Sequence, residues 1–428
     1  MSSPIASNIA IIGGGLASLT LALSLHQRGI PCTIYEARPE SASTPGALML
    51  SPNALRILDS LSIYPEIRDQ GFNFSTVAFK NAAEETTDLY HLGGTSQYTY
   101  PCLRIYRQTL LLALRSAAAR AGIAIHYSHK FLSITSTSTS PATGHTTFAV
   151  QHAIDGTTTH ATASLLIGAD GIHSRVRTQH VAPSAPAHYE GRVAITFAIS
   201  RAQAGLPADY PCPVAIHGAR GAFVLAPQTP DGAAELLAGT QVAHPEQDRD
   251  GWAALAADKE GLAAMLRRDE GEWPGTVRRV LEGMPVESLA VWPYYSVPRM
   301  ESWAAGGGAE GGRVVVLGDA AHAIPPTAGQ GASQALEDAV TFAEVVKGFG
   351  DGAGGEGVWR EAVARWQRYR QQRVDRVLAL TLQLNNARLP AEERARLEDG
   401  EVWRSGGDGE LAWLYCADIV SELREFDG

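Results

Sequence analysis

The chain has 428 residues, of which 45% are hydrophobic and 19% charged, so its composition is that of a globular protein with material for two or three structural units. Its net charge of −10 and the lack of a basic run predict no nucleic-acid partner. Four widely separated cysteines fit neither a disulfide framework nor a metal site, and no apolar segment reaches the roughly 18 residues that span a bilayer. We therefore expect a cytoplasmic protein with no signal peptide, no membrane span and no metal.

The first predicted unit is a strand, a glycine turn, a helix and a second strand. Residues 8–12 form a short apolar strand, and residues 16–27 carry apolar side chains at helical spacing. The turn between them reads Gly13-x-Gly15-x-x-Ser18. Gly13 allows a tight turn, Gly15 lets a pyrophosphate approach the backbone at the helix N-terminus, and the small Ser18 keeps helix and strand close. The pattern indicates a phosphate-binding turn.

An acidic residue, Glu36, closes the second strand 23 residues after Gly13. In dinucleotide-binding units of this kind, a carboxylate at this distance accepts hydrogen bonds from ribose hydroxyls and disfavours a 2′-phosphate. The alternative is a glycine turn that binds nothing, in which Glu36 is a surface carboxylate. The strand before the turn, the helix after it and the spacing of the acid favour dinucleotide binding.

Two further motifs place glycines and acids at strand ends. The stretch "LLIGADGIHSRVR", residues 165–177, puts Asp170 directly after an apolar strand. The stretch "VVVLGDAAHAIPPTAGQG", residues 314–331, puts Asp319 after another strand and delays the next helix until about Ala332. The Asp319 carboxylate can bind a ribose or ribitol hydroxyl, and the delayed helix presents its N-terminal amides to a negative group. All three motifs serve one cofactor only if a long dinucleotide lies across three strand ends.

These motifs, in this order, resemble those of the FAD-dependent aromatic hydroxylases, the group A flavoprotein monooxygenases that include p-hydroxybenzoate hydroxylase, salicylate hydroxylase and the tetracycline-inactivating monooxygenases. The resemblance extends to about residue 380. It implies an α/β fold in which a Rossmann-like FAD-binding domain carries an inserted, mostly antiparallel β-sheet substrate domain and precedes a C-terminal helical segment. The implied boundaries are 1–75, 100–185 and 285–345 for the FAD-binding domain, 76–99 and 186–284 for the substrate domain, and 346–428 for the C-terminal region.

The resemblance also implies which residues contact FAD. Gly13 to Gly15 and Glu36 would hold the adenosine half, and Gly46 and Ala47 would lie close to the cofactor. Arg107, rather than the neighbouring Arg104, would reach its central part.

On the flavin side, the resemblance implies that Asp319 binds the ribitol or pyrophosphate region and that the amides of Gly331 and Ala332 face the flavin pyrimidine. The carbonyl region of Pro326 would lie near the reacting edge. Asp170 has either a structural role or a role in FAD and NADPH binding. The full set of implied cofactor residues is Gly13, Gly14, Gly15, Leu16, Ala17, Glu36, Ala37, Arg38, Gly46, Ala47, Arg107, Asp170, Asp319, Pro326, Gly329, Gly331 and Ala332.

The implied reaction starts with reduction of FAD by NADPH or NADH. Because the sequence has no second dinucleotide fingerprint, the nicotinamide would bind transiently on the surface of the FAD-binding domain. O₂ would then form a flavin C4a-hydroperoxide, which hydroxylates an aromatic or polycyclic enolic small molecule in secondary metabolism or detoxification, in a monomer or homodimer. Three alternatives stay open: a reductase or oxidase without oxygen insertion, a Baeyer–Villiger or epoxidising variant, and a flavin-free binding protein with a decayed site.

Substrate contacts are expected from alternate positions on the strands of the inserted sheet. The substrate candidates are Thr196, His217, Phe223, Gln241 and either Tyr294 or Tyr295, and the catalytic candidates are Pro326, Thr196 and His217. Each of the strand residues has the alternative role of a core residue. Some relatives in the resembled family carry an arginine where Thr196 follows "YEG", so a neutral residue favours the tetracycline-inactivating type. We expect His322 to be structural rather than a metal ligand or base.

Overall fold

The computed structural model describes residues 6–137, 144–306, 312–350, 355–405 and 409–427. The strands in this part of the chain are β1 (Ile9–Ile12), β2 (Cys32–Tyr35), β3 (Ala47–Leu50), β4 (Phe72–Phe74), β5 (Thr76–Lys80), β6 (Thr86–His91), β7 (Cys102–Tyr106), β8 (Ala124–His126), β9 (His129–Thr137), β10 (Thr146–His152), β11 (Thr158–Ala163), β12 (Leu165–Gly168), β13 (His188–Ile199), β14 (Val214–Gly218), β15 (Gly221–Pro227), β16 (Leu236–Ala243), β17 (Ala290–Ser296) and β18 (Val314–Val316).

The α-helices in the same part of the chain are α1 (Leu16–Gln27), α2 (Pro52–Ser60), α3 (Tyr64–Ile67), α4 (Thr95–Tyr98), α5 (Arg107–Arg120), α6 (Arg249–Ala257), α7 (Lys259–Arg267), α8 (Gly275–Glu282), α9 (Asp319–His322), α10 (Gly331–Gly350), α11 (Glu356–Ala387), α12 (Ala391–Arg394), α13 (Ala412–Tyr415) and α14 (Ile419–Glu425). A single 3₁₀ turn, Pro326–Ala328, lies between α9 and α10.

The larger unit is built on a five-stranded parallel sheet with the strand order β18-β12-β1-β2-β8. All four residues of β1 are buried, as expected for a parallel strand covered by helices on both faces. Helix α1 is buried from Leu16 to Leu25 and packs against α5 and α10, so it is a core helix rather than an amphipathic surface helix. The glycine turn between β1 and α1 is therefore held rigidly inside this unit.

The strand order explains how distant motifs meet. Because β18, β12 and β1 are neighbours in a parallel sheet, their carboxyl ends lie side by side at one edge. Each of these ends carries one of the three predicted motifs, although the first and the third are about 300 residues apart in sequence. In open α/β sheets this edge is where ligands bind.

A seven-stranded sheet with the order β17-β13-β16-β15-β14-β5-β6 forms the second unit. Its strands pair antiparallel except for β5 and β14. One face is covered by α7 and α8 over a separate apolar core that includes Ile195, Phe197 and Leu225. Strand β17 pairs with β13 and so belongs to this sheet, whereas the predicted boundary at 285 assigns it to the FAD-binding domain.

The remaining described elements join the two units. Two three-stranded sheets, β11-β10-β9 and β3-β7-β4, flank the parallel sheet. The 32-residue helix α11 packs against α10 and against the 3₁₀ turn Pro326–Ala328. The predicted fold class, with a Rossmann-like domain, an inserted sheet and a C-terminal helical segment, is confirmed. In the described part of the chain, no helix has the length and apolar character to cross a membrane.

Candidate active site

The three strand-end motifs are in direct backbone contact. Ala169 donates its N–H to the carbonyl of Ile12 at 2.9 Å, and Leu317 donates to the carbonyl of Gly168 at 3.1 Å. Arg177, which is fully buried, donates to the carbonyls of Ile172 and Ala320 and so ties the second motif to the third. The three segments form one continuous rim at the edge of the parallel sheet.

The first glycine turn needs Gly13 for packing and Gly15 for space. Gly13 has φ +103°, and a Cβ there would lie 2.4 Å from the carbonyl oxygen of Ala169 in the second motif. A Cβ on Gly15 would meet no described atom within 4 Å. Gly13 is therefore required by the protein itself, whereas the space at Gly15 is free for a ligand at the N-terminus of α1.

Glu36 borders the same space. Its carboxylate accepts hydrogen bonds from the N–H of Gly14 at 2.5 Å and from the N–H of Arg38 at 2.7 Å. These bonds hold the side chain at the mouth of an open cleft of about 380 Å³, where it can also accept from a ligand hydroxyl. The cleft is lined by Gly14, Gly15, Leu16, Glu36, Arg38, Thr44, Arg107, Leu111 and Arg115.

The two candidate arginines lie in different places. Arg107 opens helix α5, lines the cleft, and donates its N–H to the carbonyl of Gly46 at 2.9 Å. Arg104 is directed elsewhere, and its guanidinium donates to the side-chain oxygen of Gln228 at 2.5 and 2.7 Å. Burial lowers the pKa of Arg104 to about 10. The structure therefore brings Arg107, and not Arg104, to the first glycine turn.

Asp170 combines a structural contact with an unused oxygen. Its Oδ2 accepts hydrogen bonds from the N–H groups of Arg175 at 2.8 Å and Val176 at 3.3 Å. Its Oδ1 is buried and has no hydrogen-bond partner among the described residues. Burial raises the pKa of Asp170 above its ordinary value, despite the opposing hydrogen bonds. One oxygen thus caps the following turn, and the other is left for a ligand donor.

The third motif places a carboxylate beside a long helix. Asp319 is exposed, and its Oδ1 lies 4.0 Å from where a Cβ of Gly331 would stand at the start of the 20-residue helix α10. Gly329 has φ +65°, and a Cβ there would lie 2.1 Å from the Cε of Met49. Pro326 is exposed at the start of the intervening 3₁₀ turn. The N-terminal amides of Gly331 and Ala332 follow this turn at the start of α10.

Buried charged side chains hydrogen-bond to the third motif. The imidazole of His322 donates from Nε2 to Asp338 at 2.5 Å, and Asp338 also accepts from the N–H of Gly318 and from Arg370, both at 2.8 Å. On the preceding residue, Glu337, burial acts to raise the pKa, but Arg373 and Arg370 hold it at about 2. His322 thus has a structural partner, in line with the sequence prediction.

A second cavity, of about 510 Å³, lies on the face of the seven-stranded sheet opposite its apolar core. Alternate residues of four strands form its floor, and most are small. Gly239 is required there, because a Cβ would lie 2.2 Å from the carbonyl oxygen of Ile195. The cavity is lined by Ala194, Thr196, Ala222, Val224, Leu237, Ala238, Gly239, Thr240, Gln241, Tyr294 and Arg388. The small floor leaves room for a flat ring system.

Two contacts connect this cavity to the motif rim. The indole of Trp292, on β17, stands 3.4 Å from where a Cβ of Gly46 would be. In α11, Asn385 lies one turn before Arg388 and accepts a hydrogen bond from the hydroxyl of Thr327, which lies in the loop of the third motif. These contacts place the cavity side of the seven-stranded sheet next to Gly46 and to the loop of the third motif.

A model of the family described as FAD binding domain matches residues 6–203 and 308–384. The chain belongs to this FAD-binding family. It is 28% identical to the 3-amino-4-hydroxybenzoate 2-monooxygenase of Streptomyces platensis over 95% of both chains, and 26% identical to the 6-methylsalicylate 1-monooxygenase of Aspergillus terreus over 98% of this chain and 91% of that protein. It shares its fold with the crystal structure of CtdE in complex with FAD and a substrate, at a TM-score of 0.75, 19% identity and 98% and 97% coverage.

These similarities confirm the predicted family, fold and FAD cofactor, and this member of the FAD-binding family is an FAD-dependent monooxygenase. The residues present fit FAD. The free space at Gly15 suits a pyrophosphate, the Glu36 carboxylate suits a ribose, and the unpartnered Oδ1 of Asp170 suits a hydroxyl or amide donor. Of the other predicted contacts, Leu16 and Ala17 are buried in the first turn of α1, and Leu16 and Arg38 line the cleft. Ala37 follows β2 and Ala47 begins β3, and neither lines the cleft.

The structure separates the predicted substrate residues into two groups. Thr196, Gln241 and Tyr294 line the cavity. His217 lies on the same face of the sheet, next to Phe79. Its pKa is lowered to about 4, mainly by burial and further by the positive charges of Arg394 and Arg388.

The other two candidates point away from the cavity. Phe223 is fully buried in the apolar core against Phe197 and Trp273. Tyr295 packs on that same side and accepts a hydrogen bond from Trp252 at 3.1 Å.

Sequence reasoning missed Arg388, since it lies in the helical C-terminal region rather than on the sheet.

Proposed function

We propose that this family member uses NADPH or NADH and O₂ to hydroxylate a flat aromatic or polycyclic enolic small molecule. The observation that carries the proposal is the cavity on the seven-stranded sheet, whose floor of small side chains lies on the side of the sheet that contacts Gly46 and the loop of the third motif. A hollow of this kind accepts a planar ring against the cofactor. Relatives named for 3-amino-4-hydroxybenzoate and 6-methylsalicylate support an aromatic substrate class.

When bound, FAD supplies the redox chemistry, which amino-acid side chains do not provide. The part played by the chain is to bind, orient and exclude water. Glu36 and the Gly15 turn would hold the nucleotide end, and Asp319 with the N-terminus of α10 would hold the flavin end, where the helix favours negative charge. On the substrate side, Thr196, Gln241 and Tyr294 offer neutral hydrogen-bonding groups around a closely packed floor.

The proposal includes the cellular setting and the assembly. All four cysteines are free thiols, which supports a reducing compartment such as the cytoplasm. The nicotinamide cofactor would dock transiently on the surface of the FAD-binding unit, and the chain would act as a monomer or homodimer.

The test is the visible spectrum of the purified protein, recorded before and after addition of NADPH in air. We expect a flavin band that bleaches and then returns as oxygen is consumed, and an oxygenated product once a suitable aromatic compound is added. A protein without a flavin band, even after incubation with FAD, would contradict the whole proposal. Flavin reduction with a reduced but never an oxygenated product would instead support a reductase of the same fold.

A variant of the cavity floor separates substrate binding from cofactor binding. Ala194→Leu places a larger side chain into the cavity on the side of β13 that faces away from the core. We expect it to keep the flavin band and the slow NADPH oxidation without substrate, and to lose acceleration by the aromatic compound. If acceleration is unchanged, the cavity is not the substrate site.

A further inference from the structure

The cavity is lined by an arginine, Arg388, that no described residue neutralises. Arg388 follows helix α11 and lines the cavity beside Tyr294. Its guanidinium makes no hydrogen bond or ion pair with any described residue. In contrast, Arg370 and Arg373, which are buried in the same helix, both bind the Glu337 carboxylate. Arg388 is only partly exposed and has no carboxylate partner among the described residues, whereas charges withdrawn from water are normally paired in folded proteins.

Backbone contacts with the seven-stranded sheet fix the position of Arg388. Gly221 opens β15 with φ +119°, and a Cβ there would lie 2.8 Å from the carbonyl oxygen of Arg388. Just beyond, Ala391 donates its N–H to the carbonyl of Ala219 at 3.2 Å. The hairpin between β14 and β15 therefore fixes the end of α11 against the sheet, which directs the guanidinium into the cavity.

Arg388 stays charged, because arginine is not deprotonated in proteins, but its described surroundings supply no full counter-charge. Burial lowers its pKa, while Tyr294 and Tyr90 act in the opposite direction. The carboxyl end of α11 contributes only the partial negative charge of a helix terminus. His217, on the same face, has a pKa lowered to about 4 and is neutral at pH 7, so it offers neither a second cation nor an anion. A negatively charged ligand that enters the cavity would supply the missing counter-charge.

We propose that Arg388 is a specificity-determining residue that binds an anionic oxygen, either a carboxylate or an ionised phenol or enol, on the planar substrate. This inference rests on the proposed function, because it takes the cavity as the substrate site. The guanidinium presents several donors in one plane and matches an oxyanion at the edge of a ring that lies on the alanine and glycine floor. Thr196, Gln241 and Tyr294 are neutral and would contact the uncharged part of the ring.

The experiment measures binding of two matched pairs of probes to the FAD-loaded enzyme, through the change each causes in flavin absorbance. The carboxylate pair is 2-naphthoate and its neutral amide, 2-naphthamide. The phenolate pair is 4-nitrophenol above its pKa and the neutral 4-nitroanisole. We expect the wild type to bind at least one anion about tenfold or more tightly than its neutral partner. Preference within the first pair identifies a carboxylate, and preference within the second an ionised phenol or enol.

Three variants locate the preference. Arg388→Gln is expected to reduce the anion preference by about tenfold, whereas Arg388→Lys, which keeps the charge, retains part of it. Arg396→Gln is the matched control, because Arg396 is exposed in the same segment and does not line the cavity. If Arg388→Gln fails to fold, the anion preference of the wild type and its partial loss in Arg388→Lys still test the inference.

The inference is overturned if the wild type binds neither anion, if it binds anions and neutral partners equally, or if Arg388→Gln keeps the full preference. Flavin content and NADPH oxidation without a probe are measured on the same samples. If the wild type shows no bound flavin or does not oxidise NADPH, the proposed function itself has failed. A normal flavin spectrum and normal NADPH oxidation without an anion preference would mean that only the role of Arg388 has failed.

Discussion

Gly13 and Gly15 lie two residues apart but meet different neighbours. At Gly13 the positive φ and the approach of Ala169 leave no room for a side chain, whereas at Gly15 the backbone has φ −85° and the space beyond it is free. The same residue type therefore serves the fold at one position and the ligand at the other. Substituting each residue by alanine tests this division.

We expect Gly13→Ala to reduce the free energy of unfolding by about 1 to 3 kcal/mol, because a Cβ is forced against a backbone carbonyl at an unfavourable φ. Gly15→Ala is expected to leave the stability of the FAD-free protein within about 0.5 kcal/mol of wild type and to weaken FAD binding by about tenfold or more. Urea unfolding and FAD titration measure the two effects. Equal effects of the two substitutions on stability would contradict the assigned roles.

At the scale of elements, helices α10 and α11 are joined by buried charges. Glu337 has no exposed surface and binds both Arg370 and Arg373, and it also accepts from the side-chain amide of Asn53 at 2.7 Å. This network lies under the third motif, because the neighbouring Asp338 holds Gly318 and His322. Removing the Glu337 charge leaves buried guanidinium groups short of a partner.

We therefore expect Glu337→Gln to lower the free energy of unfolding by about 3 to 5 kcal/mol at pH 7. Glu361→Gln, in the partner helix α11, is the matched control, since the ion pair of Glu361 with Arg368 is largely exposed and is worth less than about 1 kcal/mol. Urea unfolding of both variants decides. A small effect at Glu337 would mean that the network does not hold α10 in place.

The same substitution predicts a pH dependence. The pKa of Glu337 is about 2 in the folded chain against an ordinary value of 4.5, so its folded pKa is depressed. Its stabilisation is therefore fully present above pH 4.5 and is lost as the pH falls towards about 2. The stability difference between wild type and Glu337→Gln should be constant from neutral pH down to about 5 and shrink below that.

Local signals in the sequence predicted the cofactor side of the fold well, because a strand, a glycine turn and a helix start are each set by nearby residues. The substrate side depends on long-range register. Alternation along the strands was predicted, but which alternate set faces the cavity follows from pairing partners and from the irregularity between Tyr189 and Val193. This is why Phe223 lies in the core, while its neighbour Ala222 lies on the floor. Arg388 reaches the cavity through a tertiary contact, that of its own carbonyl with Gly221, which local sequence signals do not reveal.

At the scale of the whole molecule, the described residues form two separate apolar cores. One core surrounds the parallel sheet, and the other lies behind the seven-stranded sheet. Trp292 stands between them: its side chain extends from β17 towards Gly46, yet 44% of the residue remains exposed. Its position beside Gly46 places the exposed face of the indole next to the predicted cofactor edge. A dinucleotide lying across the strand ends would cover it.

We expect bound FAD to protect Trp292 from oxidation by hydroxyl radicals, read residue by residue by mass spectrometry. The rate at Trp292 should fall severalfold when FAD is added to the FAD-free protein, because the cofactor removes its exposed face from solvent. Two residues serve as references: Ile154, 81% exposed in the turn between β10 and β11, should not change, and Trp273, 5% exposed in the second core, should stay slow in both states. An unchanged rate at Trp292 in protein that is saturated with FAD would show that the cofactor does not bridge the two units at β17. Protection at Trp292 together with a rise at Ile154 would instead indicate a general rearrangement rather than direct cover.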